Sequence, residues 1–388
     1  MARLAATLLA TVLLAGTAAA AEPLKLGFVA PMSGAQAEYG LQMMNGMKTY
    51  MAQHGDTVAG RPVEIVVKDS GGPNPDVAKR LTQELIVRDK VDFLVGYGFS
   101  PNAFAAAPLA TEAKKPMIIF NAATSSIPTK SPYIARVSMT LAQHAFGIAK
   151  WANQQDIKTV YTLYADYAPG RDANTQFTKI FKAGGGEVVG EIAVPLSSPD
   201  FGPYMQRIKD AKPDAIFMWF PSGELANTML KAYRARGLDT DGIRPLGTSD
   251  LVDDNSLDSM GEAAVGLITS AHYSAAHDSE LNKQFIASYA EVSGGSPRPN
   301  FMAVAAYDGL AAIYKATEEL GGDVSDGEKV MKLLTGMTFE SPRGPIEISA
   351  EDRDIVQNIY IRETKKTPDG LYNIEFETMP MVVDPGKE

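Results

Sequence analysis

The chain has 388 residues and no cysteine, and 46 acidic against 36 basic residues leave a net charge of -10. Disulfides, metal–thiolate centres and thiol catalysis are excluded, and no clustered basic surface offers itself to nucleic acid. The length suits two domains or one large one, with a core able to stabilise the fold without staples. Along the chain, Met1-Ala2-Arg3, the apolar run 4–14 and Ala18-Ala19-Ala20-Ala21 read as a secretory signal peptide over residues 1–21. It is too short and wrongly flanked for a membrane span. An exported, soluble product is expected, with no Cys at the cleavage point to carry a lipid anchor.

Strand-like and helical runs then alternate. Strands are predicted at 24–30, 63–68, 91–95 and 117–120, with helices at 40–54, 75–89 and 101–114 between them. This βαβ progression calls for a parallel sheet covered on both faces. The pattern restarts with helices at 142–154, 168–183, 201–211 and 224–236 and strands at 159–164, 187–193, 215–220 and 245–248. Two successive units of this kind predict two similar α/β lobes. Helices at 279–293, 301–321 and 326–335 and strands at 344–348 and 358–363 follow as additions to those lobes, with no long Pro/Ser linker anywhere.

Several segments resemble catalytic or cofactor motifs and depart from them. Gly96-Tyr97-Gly98-Phe99-Ser100-Pro101 stands between a strand and a helix, but Pro101 replaces the third glycine of a dinucleotide fingerprint. Ser100 lacks the second glycine of a nucleophile elbow. His54 and His144 fall at helix-like surface positions, His272 and His277 flank a loop, and no metal-ligand spacing joins them. Asp253-Asp254-Asn255 lacks the glycine and terminal glutamate of a calcium loop and reads as a solvated turn. No base, nucleophile and orienter occur together, so no catalytic residue, cofactor or metal is assigned.

Two neighbouring strand ends carry a different signal. Ligands of open parallel sheets bind at the carboxyl ends of strands. One end delivers Ser100, and the other delivers Ala122, Ala123, Thr124 and Ser125. Small side chains let a ligand reach backbone N–H groups, while the hydroxyls donate; a carboxylate accepts several such bonds at once.

"LKLGFVAPMSGAQAEYG" (24–40), "VDFLVGYGFS" (91–100), "MIIFNAATSSIPT" (117–129), "YADYAPGRD" (164–172), "DAIFMWFPSGE" (214–224) and "LGTSD" (246–250) occur in an order and spacing that resemble the leucine/isoleucine/valine-type periplasmic receptors of ABC importers. The resemblance covers the whole mature chain. It implies two Rossmann-like lobes with parallel-sheet cores, joined by a three-crossing hinge, with the ligand cleft between them. It places the first lobe at 22–141 and 272–355 and the second at 142–271 and 356–388.

Carried onto this chain, the resemblance implies ligand contacts at Tyr39, Ser100, Ala122, Ala123 and Thr124, with Ser100 and Thr124 donating to a carboxylate. From the other lobe it implies Tyr167 and a ligand-facing residue within Trp219-Phe220-Pro221-Ser222, and it places Phe301 against the ligand side chain. Where amino-acid receptors of the family hold a carboxylate for the ligand ammonium, this chain has Ser249, with Asp250 beside it. A buried ammonium without a counter-charge is costly. The aromatic residues around the implied cleft suit a planar apolar ligand. The expected function is a monomeric periplasmic receptor that captures an aromatic monocarboxylate by lobe closure and delivers it to an inner-membrane ABC permease. The alternatives are a branched-chain or other aliphatic amino acid as ligand, or a sensor with the same fold.

Overall fold

The computed structural model describes residues 21–197, 200–295 and 298–387; all of the expected signal peptide except Ala21 lies outside them. In chain order the first unit runs β1 (Leu24–Ala30), α1 (Ala37–His54), β2 (Thr57–Val58), β3 (Arg61–Asp69), α2 (Pro75–Glu84), β4 (Phe93–Gly96), α3 (Ser100–Ala113), β5 (Met117–Ile119) and β6 (Ile134–Arg136). Its sheet has the order β2-β3-β1-β4-β5-β6 and is parallel apart from the short β2. β4 and β5 are buried along their whole length, which is why both read as unbroken apolar runs rather than alternating ones. α2 starts where Asn74 accepts a bond from the Val77 N–H with Pro75 behind it, two local signals for a helix start.

The second unit contains α4 (Leu141–Gln154), β7 (Thr159–Ala165), α5 (Ala168–Ala183), β8 (Glu187–Val194), α6 (Gly202–Ala211), β9 (Ala215–Trp219), α7 (Glu224–Ala235), β10 (Arg244–Thr248), the short α8 (Leu257–Met260) and β11 (Ile268–Ala271). After it come α9 (Glu280–Ser293), α10 (Phe301–Glu319), α11 (Gly327–Leu334), β12 (Thr338–Ser341), β13 (Gly344–Ile348), β14 (Ile355–Thr367) and β15 (Gly370–Val382). The second sheet has the order β12-β13-β14-β11-β10-β9-β7-β8, with β15 added to β14. Its β7–β11 core is parallel, and the late strands join it antiparallel.

The chain therefore passes between the lobes three times: after β6, after β11 and after α11. α9 and α10 return to pack on α1. A Cβ on Gly46 would stand 2.0 Å from the Ala303 carbonyl oxygen, so that glycine is what lets α1 and α10 touch. The expectation that all of 272–355 belongs with the first lobe needs correction at its end. β12 and β13 hydrogen-bond into the second sheet, so the third crossing falls at residues 335–337. β6 and β15 were not foreseen. β6 is only three residues long, and β15 follows a Pro368-Asp369-Gly370 turn whose hairpin signal is legible in the sequence.

Candidate functional site

β4 ends at Gly96, whose φ of +101° suits glycine and whose absent Cβ would meet the Val29 carbonyl oxygen at 2.6 Å. The turn it makes carries Gly98, Phe99 and Ser100 to the start of α3. The α3 N-cap, Phe99, supplies no side-chain cap, so the Ser100 hydroxyl is not consumed in closing its own helix. Instead its oxygen accepts the Thr124 N–H at 3.3 Å, which joins the two strand ends and leaves the hydroxyl proton free to donate.

The loop after β5 is held from behind. Arg136 is fully buried, grips Asp354 through bonds of 2.7 and 2.6 Å, and donates to the carbonyls of Ala122 and Thr124 at 2.9 Å each. Asp384, near the C-terminus, accepts from Ser125 and from Thr140, both at 3.0 Å. With its carbonyls occupied on the hinge side, the loop is fixed in one orientation.

Opposite stand Tyr167 and Pro169 at the start of α5, Trp219 and Pro221 after β9, and Asp250 after β10. Together with Tyr39, Gly98, Phe99, Ser100, Asn121, Ala122 and Ala123 they line one tight pocket with about 30 Å³ of open space, completed by Met139 of the first crossing and Leu141 at the start of α4. Tyr39 stacks on Phe99 with centroids 5.3 Å apart, and Tyr167 packs on Trp219 at 5.5 Å, so each lobe contributes an aromatic pair. Burial raises the phenol pKa of both tyrosines far above its ordinary value, so they remain neutral.

Asp250 is the one carboxylate of this lining. It is 5 % exposed, and burial pushes its pKa up to about 6 despite the Thr248 hydroxyl, which donates to it at 3.1 Å. The Trp219 indole N–H stands close enough to help hold that pKa down, yet it is buried and makes no hydrogen bond of ordinary geometry. Polar bonds cross between the lobes beside the pocket: Tyr39 to the Ser222 carbonyl at 3.5 Å, Asn255 to Glu38 at 3.1 Å and Asn300 to Asp253 at 2.8 Å.

Seven of the eleven residues expected at the site line this pocket: Tyr39, Ser100, Ala122, Ala123, Tyr167, Trp219 and Asp250. Four do not. Phe220 turns into the second-lobe core against Phe201, because alternate residues at a strand end face opposite sides. Ser249 points away, its hydroxyl 3.3 Å from the His144 ring, whereas its neighbour Asp250 faces inward. Phe301 packs on His272 at 5.9 Å. Thr124 is bound through its backbone, and its hydroxyl lies near Asp172 of the opposite lobe.

His144 is fully buried rather than on a surface, and Asp253 and Asp254 are buried rather than solvated. Their polarity is met by partners distant in sequence: His272 for His144, Asn300 for Asp253, and Arg362 for Asp254. Gly98, Asn121, Met139, Leu141 and Pro169 were missed, Met139 and Leu141 because they lie where the first crossing enters α4, with no motif of its own; Pro221 falls within the Trp219–Ser222 segment already expected there.

Two lobes with parallel-sheet cores, three crossings and a pocket between facing strand ends are the architecture of a two-lobed solute receptor. Residues 23–369 match the periplasmic binding protein family, and the chain belongs to it. It is 41 % identical over 387 residues, 100 % of this chain and 99 % of the relative, to Leu/Ile/Val-binding protein homolog 6 of Brucella abortus (strain 2308). A solute-binding protein of an ABC transporter from Rhodopseudomonas palustris BisB5, solved with 3,4-dihydroxybenzoic acid, is 51 % identical with a TM-score of 0.90, over 94 % of this chain and 99 % of that one. Another from Rhodopseudomonas palustris HaA2, solved with p-hydroxybenzoic acid, is 44 % identical with a TM-score of 0.91 at the same coverage. The protein is thus a solute-binding component of an ABC transporter, a class that binds small ligands and works with a membrane permease. The family is one of receptors rather than enzymes.

Proposed function

We propose that this receptor captures an aromatic monocarboxylate of the benzoate, hydroxybenzoate or hydroxycinnamate type in the periplasm, as a monomer without catalytic turnover, and hands it to its permease. The observation that carries this reading is the pair of aromatic walls, Tyr39–Phe99 and Tyr167–Trp219, facing one pocket. The Ser100 hydroxyl and the amides of the Ala122–Thr124 loop would receive the carboxylate. Receptors 51 % and 44 % identical hold hydroxybenzoates, which supports the same class here.

A thermal-shift series with benzoate, 4-hydroxybenzoate, a hydroxycinnamate and leucine tests the reading, since a ligand of the folded state alone raises the Tm. Stabilisation by aromatic acids and not by leucine is expected; stabilisation by leucine alone would overturn it. Ser100→Ala should weaken every aromatic acid by about 1.5–3 kcal/mol, the range for a bond to a charged group. Unchanged affinity in calorimetry would mean that the carboxylate sits elsewhere.

A further inference from the structure

We infer that Asp250 and Trp219 together form a subsite for a hydroxyl on the ligand ring, so that the receptor selects hydroxylated aromatic acids over the unsubstituted ring. The assignment rests on the aromatic-acid reading and goes further, to what the far end of the pocket demands. Trp219 Nε1 is a donor, buried in a side chain only 2 % exposed, and has no hydrogen-bond partner among the described residues. It stands near the Asp250 carboxylate without a hydrogen bond of ordinary geometry, so a buried donor is left short of a well-aligned acceptor. Beside it, one Asp250 oxygen is bound by Thr248, and the carboxylate retains acceptor capacity toward the pocket.

An N–H donor next to a carboxylate acceptor is matched by a group that both accepts and donates. A phenolic hydroxyl does both, accepting from the indole and donating to the carboxylate. An ammonium only donates; it would satisfy Asp250, leave the indole N–H unpaired and place a cation against it. A bare ring edge would give the indole N–H no acceptor and leave the remaining acceptor capacity of Asp250 unused. The subsite belongs to the second lobe and the Ser100 cradle to the first, so a ligand satisfying both would bridge the lobes.

Calorimetry with the full mature protein and three probes tests this: benzoate, 4-hydroxybenzoate and 4-methoxybenzoate, the last able to accept but not to donate. The wild type should bind 4-hydroxybenzoate about tenfold or more tightly than either of the others, as expected for a hydrogen bond to a charged group. Trp219→Phe and Asp250→Ala should each shrink that ratio several-fold. The two variants act on opposite partners, and a folding defect in one leaves the other to decide. Equal affinity for benzoate and 4-hydroxybenzoate, or a ratio that survives both substitutions, would overturn the subsite while leaving the aromatic-acid reading intact. Failure of all three acids to bind, with leucine binding, would remove the reading and the subsite together.

Discussion

Asp250 carries a cost that its position explains. Its pKa is raised to about 6, first by burial; Thr248, Trp219 and Arg362 act against that shift, while Tyr39, Tyr167 and Asp253 also face it. A raised acid binds its proton more firmly in the folded state, so ligand-free stability falls as pH rises from about 4 to 6 and stays low above. At 1.36 kcal/mol per pKa unit the penalty reaches about 3 kcal/mol at pH 8. Asp250→Asn should therefore stabilise the empty protein at pH 8 and have little effect near pH 4, read from denaturation midpoints at both pH values. An equal effect at both would show that the carboxylate is not strained. Sites that keep such a residue commonly trade stability for binding.

At the level of elements, the hinge side of α4 holds a buried histidine pair. His144 Nε2 and His272 Nδ1 lie 3.1 Å apart, one ring on α4 and the other in the second crossing. Burial lowers the His144 pKa to about 3, aided by Arg362 and Arg343, and drives His272 down as well. A depressed base must be neutral in the fold, so stability is present above the unfolded value of about 6.5 and is lost as pH falls toward 3. For His144 alone the loss is about 2 kcal/mol at pH 5. His144→Gln should flatten the fall in Tm between pH 6.5 and 4.5 whatever its stability at pH 8, and an unchanged slope would mean that the ring is solvated. The sequence pattern placed this histidine on a helix surface because α4 packs both on β10, β11 and β14 of the second sheet and along α5, a burial that no local period reveals.

Across the whole molecule, one buried ion pair ties the hinge to the site. Arg136 ends β6, Asp354 precedes β14, and the guanidinium between them also holds the Ala122 and Thr124 carbonyls of the loop after β5. Asp384 and Lys387 of the C-terminal segment join the same cluster. Removing one partner of a buried pair leaves a charge uncompensated and costs about 3–5 kcal/mol, while replacing both with apolar residues costs much less. Arg136→Leu should lose about that much stability in chemical denaturation and weaken the acid ligand as well. Arg136→Leu with Asp354→Leu should recover most of the stability but not the affinity, because the loop carbonyls stay untied. Recovery of both would separate the ion pair from the site.

The two α/β lobes were legible along the chain, since hydrophobic periodicity and buried apolar strands are local properties of it. So was the convergence of Ser100, Ala122 and Ala123 on one pocket, because strand ends in a parallel sheet open toward one edge. Which residue of each adjacent pair faces the pocket was settled by tertiary packing. Asp250 turns inward while Ser249 meets His144, and Trp219 turns inward while Phe220 meets Phe201. A shift of one residue at a strand end reverses the direction of the side chain, and only packing against the other sheet and the crossings fixes it. The same reason hid the third crossing: β12 and β13 carry an ordinary strand pattern, and their sheet is chosen by pairing with β14, a contact the sequence does not spell out.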